Sequence, residues 1–455
     1  MLDKNDVYEL RIDGLTSECD GVGRVDGMAV FVEQALPGDV VKTQIVKAKK
    51  SYAHGKLIEL IRPSPDRVEP PCPVYRRCGG CSLQHCSYSG QLKLKRQKVA
   101  DAMARIGGFA DLAIPEAIGM DEPFRYRNKA QFPVALENGE AAIGFYARRS
   151  HSIVQVDSCL IQAKICDAVI SSVKEYMSIT QLEPYDELTH SGLLRHIAIR
   201  TGGCGADEEV MICLVVNGTT IPDALLLKRI CLKNVPGLKT IVLNKNTKRS
   251  NTILSMENEI LLGSGFIRQN VGDLLFELSP LSFFQVNSAQ TKPLFDVISD
   301  YAGLTGSETV IDAYCGAGAI SLYLAGKAKK VYGVDIVDDA IKDANRNMKL
   351  NGISNAEFIA GAAEAVLPEL IENGAKADIV VADPPRKGCE PKVLSAVMDL
   401  SPEKIVYVSC DPATLARDAK ILCQGGYRLE KLQPFDMFPM TSHVETIVLL
   451  QRRDA

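Results

Sequence analysis

From residue 305 onward, short apolar runs alternate with helical segments, and this alternation constrains the fold more than any other feature. The runs ETVIDAY, KKVYGVDIV, ADIVVAD and KIVYVSC are typical of buried strands, and AISLYLAG, DDAIKDANRNMKLNG and TLARDAKIL are typical of helices. Strands that alternate with helices predict a doubly wound parallel sheet. We therefore predict an α/β Rossmann-like domain over residues 276–455, with ETIVLLQR as its last strand.

The preceding part of the chain has a different pattern. Residues 1–61 contain short runs in which apolar and polar residues alternate between Gly and Asp turns, which predicts an OB-like β-barrel. The proline-rich run RPSPDRVEPPCP reads as a linker. Residues 62–275 mix strands with occasional helices and predict a central α+β domain. Its segment 91–120 begins with the helix QLKLKRQKVADAMARI, which we expect to pack on the Rossmann-like domain.

Charge and hydropathy limit the classes of partner. The net charge of −4 gives no bulk support for a nucleic-acid partner, so any RNA has to be held by local basic patches. No run of 18 apolar residues and no signal-peptide pattern occurs, so we expect a cytoplasmic monomer with no membrane association and no obligate protein partner. In that compartment the fourteen cysteines are not expected to form structural disulfides.

A nucleotide-type site is predicted at the start of the Rossmann-like domain. Gly316 and Gly318 follow an apolar strand and open a helix, and Asp335 ends the next strand, where a carboxylate can bind ribose hydroxyls. Ser321 stands where a dinucleotide fingerprint has its third glycine, which counts against NAD without excluding it. Asp383 ends ADIVVAD and begins a rigid Asp-Pro-Pro edge that faces the same crevice.

Two reactive side chains are predicted at the same edge of the sheet. Cys410 follows the strand KIVYVSC and precedes a helix, whose amides can stabilise a thiolate. Glu445 begins the last strand. This pair suits chemistry that needs both a nucleophile and a base. Carbon 5 of uracil is such a case, because it becomes nucleophilic only after a thiolate has added to carbon 6.

A cysteine cluster is predicted in PCPVYRRCGGCSLQHC. Cys72, Cys78 and Cys81 have metal-ligand spacing, and a fourth ligand has to come from Cys86, Cys159 or Cys166. The spacing approaches an iron–sulfur pattern, and a four-cysteine zinc site is an equal alternative on spacing alone. Basic groups follow in the central region and are candidates for phosphate contacts, notably Arg125, Arg127 and Lys129.

Five sequence blocks together resemble the RNA (uracil-5-)-methyltransferase family. They are PLSFFQVN, DAYCGAGAISL, ADPPRKG, SCDPATLARD and HVET, and GLTSECDGVGRVDGMAVFVEQALPGDVV resembles the TRAM domain of RNA-modifying enzymes. The resemblance implies methyl transfer from S-adenosyl-L-methionine (SAM) to carbon 5 of a uridine in 23S rRNA. By position, Cys410 matches the nucleophile, Glu445 the proton acceptor and Phe283 an aromatic near the flipped uracil. SAM-binding positions are matched by Gln285, Tyr314, Gly316, Gly318, Asp335 and Asp383.

The resemblance also implies a [4Fe–4S] cluster with Cys159 as the fourth ligand and Cys86 as a bystander. The chain departs from the family at Asp411, usually Asn, at Asp335, usually Glu, and at Ala362, usually an acid near the adenine edge, for which Glu364 is a weak substitute. Two alternatives stay open: a tRNA uridine-5 methyltransferase and a non-catalytic iron–sulfur RNA-binding protein. The barrel and the cysteines count against the first, because its members generally lack both.

Overall fold

The N-terminal strands close into a barrel of their own. The computed structural model describes residues 2–137, 140–203, 208–374 and 376–453. The barrel order is β1-β2-β3-β5-β4, so the predicted five-stranded barrel is confirmed. Its inward side chains, including Ile12, Val30 and Ile45, form a separate apolar core. The strands are β1 (Val7–Leu15), β2 (Gly21–Val25), β3 (Met28–Val32), β4 (Val40–Ala48) and β5 (Tyr52–Arg62).

The central region is built on a second sheet, whose order is β12-β11-β10-β9-β6-β7-β8. Helix α1 (Tyr88–Ala102), continued by a wider π-helical turn (Met103–Gly107), precedes this sheet, and α2 (Ile165–Thr180) and α3 (Ala224–Asn234) pack against it in one core. The strands are β6 (Lys129–Glu137), β7 (Glu140–Tyr146), β8 (Ile153–Gln155), β9 (Leu194–Gly202), β10 (Glu209–Val216), β11 (Leu238–Lys245) and β12 (Asn258–Leu262).

A hairpin leads into the C-terminal sheet, and it consists of β13 (Ile267–Val271) and β14 (Leu274–Leu278). The sheet order is β17-β16-β15-β18-β19-β21-β20. Its strands are β15 (Thr309–Asp312), β16 (Lys330–Asp335), β17 (Ala356–Ala360), β18 (Ile379–Ala382), β19 (Lys404–Ser409), β20 (Tyr427–Phe435) and β21 (Glu445–Arg452). Its helices are α4 (Ser288–Ala302), α5 (Ala319–Ala325), α6 (Asp338–Leu350), α7 (Ala363–Glu372), α8 (Pro391–Leu400) and α9 (Pro412–Gln424).

Both faces of this sheet are covered, as a doubly wound fold requires. Val310 and Ile311 are neighbours in β15, and because side chains alternate along a strand they belong to two different cores. One core contains residues of α4, α5 and α6, and the other contains residues of α7, α8 and α9. Val99 and Met103 from the end of α1 lie in the second core, so α1 packs on this domain.

The last strand differs from the fully parallel sheet that the alternation predicted. Strand β21 runs antiparallel to both β19 and β20. Only nine residues join β20 to β21, and a parallel connection needs a crossover of a dozen or more. The strand therefore turns back, and its first residue lies beside the end of β19. None of the helices in the described ranges is long and apolar enough to cross a membrane.

Candidate functional site

The turn after β15 forms the floor of a crevice where the strand order reverses. Gly316 and Gly318 have φ values of 53° and 83°, a region that side chains other than glycine rarely adopt. A Cβ atom on Gly318 would also lie 2.9 Å from Cζ of Phe358. The backbone can therefore turn sharply into α5 and leave room for a ligand at the carboxyl ends of the strands.

Asp335 closes one side of this crevice. Its carboxylate accepts hydrogen bonds from the backbone N–H of Gly316 at 3.0 Å and of Val337 at 2.9 Å, which fixes it beside the glycine turn. The next side chain, Ile336, is 70% exposed although it is large and apolar. The sequence analysis did not single out Ile336. Its place directly after Asp335, the predicted ribose contact, is the signal that could have done so, since ligand sites are lined mainly by apolar side chains.

Further acids and a tyrosine line the same edge. Asp312 is fully buried and accepts a hydrogen bond from Ser321 Oγ at 2.6 Å, and burial raises its pKa to about 6. Burial and the charge of Asp312 raise the pKa of Asp383. Tyr314 is half-buried. Its pKa is raised mainly by burial, and further by the Cys389 thiol and the Glu364 carboxylate. Glu364 thus lies near the crevice.

Cys410 and Glu445 are brought together by the antiparallel pairing of β19 and β21. Ser409 of β19 pairs with Thr446 of β21. Because the two strands are antiparallel, Cys410, which follows Ser409, lies opposite Glu445, which precedes Thr446. Glu445 is only 5% exposed, and burial together with Asp383 raises its pKa. Burial, then Glu445 and Asp383, raise the pKa of the half-buried Cys410 thiol to about 11. Burial and the two acids therefore disfavour the thiolate form of Cys410.

Arg386 counteracts these negative charges, and the sequence analysis did not assign it a role. Its charge lowers the pKa of both Cys410 and Glu445. Its guanidinium donates to Nε2 of His443 at 3.2 Å, and burial and nearby cations lower the pKa of His443 to about 4, so the ring is a neutral acceptor. The signal available in the sequence was its place directly after Asp-Pro-Pro at a strand end.

Asp411, which stands where the family usually has Asn, is bound to the start of the next helix. Its carboxylate accepts hydrogen bonds from the backbone N–H of Ala413 at 2.8 Å and of Thr414 at 3.2 Å, so it caps α9. Gln285 and Phe283 precede α4. Gln285 is half-buried, with its carbonyl bound by the Asn128 amide at 3.0 Å, whereas the Phe283 ring is 67% exposed.

Comparison with known proteins agrees with this geometry. A model of the tRNA (uracil-5-)-methyltransferase family matches residues 253–453, and a TRAM-domain model matches residues 3–58. An "uncharacterized RNA methyltransferase" of Halalkalibacterium halodurans is 47% identical over 453 residues, which cover 100% of this chain and 98% of the relative. Another, of Clostridium tetani, is 48% identical over 98% of this chain and 96% of the relative. The chain belongs to the RNA (uracil-5-)-methyltransferase family.

A solved structure extends the likeness over nearly the whole enzyme. The Pyrococcus abyssi tRNA (uracil-54, C5)-methyltransferase, in complex with S-adenosyl-L-homocysteine, matches with a TM-score of 0.78 and 29% identity over 97% of this chain and 100% of that chain. This RNA methyltransferase therefore uses SAM rather than NAD. Because that tRNA enzyme spans the N-terminal regions as well, these regions do not exclude a tRNA substrate, contrary to our expectation.

The four predicted ligand cysteines of this methyltransferase surround one cavity. Cys72, Cys78, Cys81 and Cys159 line a space of about 160 Å³, and Cys86 and Cys166 are buried elsewhere. Backbone N–H of Gly80 and the Gln84 amide donate to the sulfurs of Cys78 and Cys81 at 3.4 and 3.2 Å. Among the described residues, no three His, Cys, Asp or Glu side chains stand close enough together to hold a single metal ion.

A groove of about 770 Å³ lies between the barrel and the segment that precedes β21. It runs from Glu33 and Asp20 past Arg148 to Arg127 and His443. The other two predicted RNA contacts, Arg125 and Lys129, do not line this groove. Arg125 donates to the carbonyl of Cys159 at 2.7 Å, and Lys129 is half-buried, with its pKa lowered to about 8 by burial and by Arg200.

Proposed function

We propose that this enzyme methylates carbon 5 of a uridine in 23S rRNA, with Cys410 as the nucleophile and Glu445 as the base. The observation that supports this most strongly is the pairing of β19 with β21, which sets the thiol and the carboxylate side by side at the edge that also holds the glycine turn. A target base has to leave its stack to reach this edge, as in other base-modifying enzymes.

The proposed reaction uses each of these groups once. Cys410 loses its proton to solvent, its sulfur bonds to carbon 6, and the electrons of the C5–C6 double bond form an enolate through carbon 4. Carbon 5 would then take the methyl group from bound SAM, whose bond from sulfur to methyl breaks and which leaves as S-adenosyl-L-homocysteine. Glu445 removes the proton from carbon 5, the double bond re-forms, and the bond between sulfur and carbon 6 breaks. The product is 5-methyluridine.

The electrostatics of the pair suit both halves of this reaction. A carboxyl group with a raised pKa binds the carbon 5 proton more firmly than an ordinary one. Arg386 supplies the positive charge that favours the thiolate when the site is occupied. We assign SAM binding to Gln285, Tyr314, Gly316, Gly318, Asp335 and Asp383, and a place near the flipped base to the exposed ring of Phe283.

The nucleophile is tested with RNA that contains 5-fluorouridine at the target. Fluorine cannot be removed as a proton, so wild-type enzyme and SAM should give a stable protein–RNA adduct that survives denaturation. Cys410→Ala should form no adduct and no product, and Cys423→Ala, on the far end of α9, is the matched control. Turnover by Cys410→Ala would exclude this mechanism.

The identity of the RNA is the second part of the proposal. The combination of a TRAM barrel with four clustered cysteines resembles family members that act on 23S rRNA. The structural match to a tRNA (uracil-54, C5)-methyltransferase favours tRNA as the second candidate. Mapping 5-methyluridine in both RNAs from a strain that lacks this protein separates the two. Loss from tRNA with unchanged 23S rRNA would overturn our choice.

A [4Fe–4S] cluster is the third part, with Cys72, Cys78, Cys81 and Cys159 as its ligands. Sulfur ligands of a zinc ion lie within about 4 Å of one another, because each Zn–S bond is about 2.3 Å. These four cysteines instead line a wider cavity, which fits a group larger than one ion. The side-chain oxygens of Gln84 and Gln162 line the same cavity and have no hydrogen-bond partner. The cluster would hold together two parts of the chain, residues 72–81 and the segment around Cys159.

RNA contacts are proposed along the groove and on the barrel. Three rings lie side by side on the outer wall of the barrel, Phe31, Tyr52 and His54, with centroids 5.4 to 5.7 Å apart. Half-exposed rings beside lysines can stack on unpaired bases while the lysines bind phosphates. Four barrel lysines form no ion pair within the described ranges: Lys47, Lys49, Lys50 and Lys56. Of the three predicted contacts in the central region, Arg127 lines the groove.

We also propose that the protein is a cytoplasmic monomer. The four clustered cysteines support the location, because ligand thiolates stay reduced in the cytoplasm.

A further inference from the structure

The segment that carries Glu445 into the site is held from behind by one helix. This segment, Asp436–Val444, is called the base loop, and it joins β20 to β21. Gln91, Lys95 and Lys98 are spaced by four and three residues along α1, so they share one face of the helix. That face is directed at the base loop.

Two of these side chains fix the first half of the base loop. Lys95 is 1% exposed, forms an ion pair with Asp436, and donates to the carbonyl of Phe438 at 3.0 Å. The Gln91 amide oxygen accepts from the backbone N–H of Met440 at 2.9 Å. Met440 has a φ of 67°, which a non-glycine residue adopts only when its surroundings impose it.

The cysteine segment holds the same point of the loop. The carbonyl of Met440 accepts hydrogen bonds from the backbone N–H groups of Ser82 and Leu83, both at 3.0 Å. These two residues directly follow Cys81. The first half of the base loop is therefore fixed by α1 on one side and by the cysteine segment on the other.

Lys98 fixes the second half and also reaches the barrel. Its ammonium donates to the carbonyl of Ser442 at 2.9 Å and to the carbonyl of Ser17 at 3.1 Å. Ser17 lies in the connection between β1 and β2, and Ser442 lies three residues before Glu445. Burial lowers the pKa of Lys98, and the charge of Asp411 raises it while that of Arg386 lowers it, so the ammonium lies close to the catalytic edge.

We infer that Lys98 is a positioning residue that couples docking of the barrel to the placement of Glu445. The Lys98 side chain is half-buried, and one of the two backbone carbonyls that its ammonium binds belongs to the barrel. With the barrel docked, Lys98 holds Ser442 and keeps His443 and Glu445 in place. If the barrel moves away, Lys98 loses Ser17 and the base loop loosens. Recognition by the barrel and proton removal by Glu445 are thereby linked. This inference rests on the proposed role of Glu445.

The test compares three full-length variants. Lys98→Met keeps the apolar stem and removes the charge, Lys98→Arg keeps a donor that can reach two carbonyls, and Lys93→Met is the control. Lys93 lies on the same helix, but its side chain is 71% exposed and pairs only with Asp66 at 3.4 Å. Thermal unfolding and SAM affinity, which should stay near wild type in all three, establish that each variant is folded.

For Lys98→Met we expect the single-turnover rate at saturating RNA to fall by ~10- to 100-fold, the scale on which small misplacements of reacting groups act. Adduct with ordinary uridine should accumulate, because attack by Cys410 is less affected than proton removal. Lys98→Arg should recover most of the rate, and Lys93→Met should match wild type. A wild-type rate in Lys98→Met, or an equal loss in Lys93→Met, would overturn the inference.

Hydrogen exchange separates this inference from the proposed chemistry. Amides of the base loop, including that of Met440, should exchange faster in Lys98→Met than in wild type or Lys93→Met, with no RNA present. This readout does not depend on which residue is the nucleophile. Unchanged exchange in the base loop refutes the positioning role. If the base loop exchanges faster in Lys98→Met and Cys410→Ala still makes product, the positioning role stands and only the proposed mechanism is refuted.

Discussion

The reactivity of Cys410 should depend on the charge of its neighbour, and Glu445→Gln tests this directly. Burial, Glu445 and Asp383 raise the thiol pKa from 9.0 to about 11, in that order of size. At pH 8 a thiol with this raised pKa has ~100-fold less thiolate than an ordinary cysteine. Glu445→Gln removes the carboxylate that has the larger effect on the thiol pKa and leaves the burial of the thiol unchanged. We expect the thiol pKa to fall in this variant and to stay raised by burial, which is the largest cause.

The assay follows alkylation of the Cys410 peptide by iodoacetamide, using mass spectrometry, between pH 7 and pH 11. The midpoint of the pH–rate profile reports the thiol pKa independently of access. Glu445 repels the thiolate only when its own carboxyl group is ionised, and the pKa of that group is raised. The alkylation profiles of wild type and Glu445→Gln should therefore converge at low pH, where Glu445 is protonated. Arg386→Met should shift the midpoint upward. Glu390→Gln, an exposed acid paired with Lys387, is the control. An identical midpoint in wild type and Glu445→Gln would refute the electrostatic account.

Three further predictions concern the base, the metal site and the barrel. Glu445→Gln should accumulate covalent adduct with ordinary uridine, visible on denaturing gels, because attack and methyl transfer proceed while proton removal fails; normal product release would contradict the assignment. Anaerobically purified protein should contain about four irons. Iron should be lost on single Ser substitution of Cys72, Cys78, Cys81 or Cys159 but not of Cys86, whereas stoichiometric zinc without iron would favour the zinc alternative. Replacing Lys47, Lys49 and Lys50 by Ala should flatten the salt dependence of RNA binding, each lost phosphate contact lowering the slope by roughly 0.7–0.9; an unchanged slope means that these lysines are only solvated.

The sequence predicted those parts of the site that local patterns determine. A glycine turn after an apolar strand and an acid at the end of the next strand are set by a few neighbouring residues, and Gly316, Gly318 and Asp335 lie as expected. Cys410 and Glu445 were also placed at one edge. That placement depends on β21 being antiparallel, because the first residue of a parallel strand would lie at the opposite edge.

Contacts between distant segments could not be predicted in this way. The bond from Lys98 to Ser442 joins residues separated by 344 positions, and no local pattern indicates it. The same holds for the basic residues of the central region. Arg125 resembles a phosphate-binding cation in the sequence, but its guanidinium is bound to the Cys159 carbonyl and to Ser158 Oγ. Whether a cation faces solvent or satisfies buried carbonyls is decided by packing.

The attachment of the base loop to α1 has a consequence for synthesis of the chain. Helix α1 is translated before the base loop and β21. Domains generally fold in order of their emergence, so the barrel can be complete while β19 still lacks its antiparallel neighbour. At that stage of synthesis Cys410 has no Glu445 beside it, because only the pairing of β19 with β21 brings the two residues together. The pair on which the proposed chemistry depends is thus completed later than the barrel and α1.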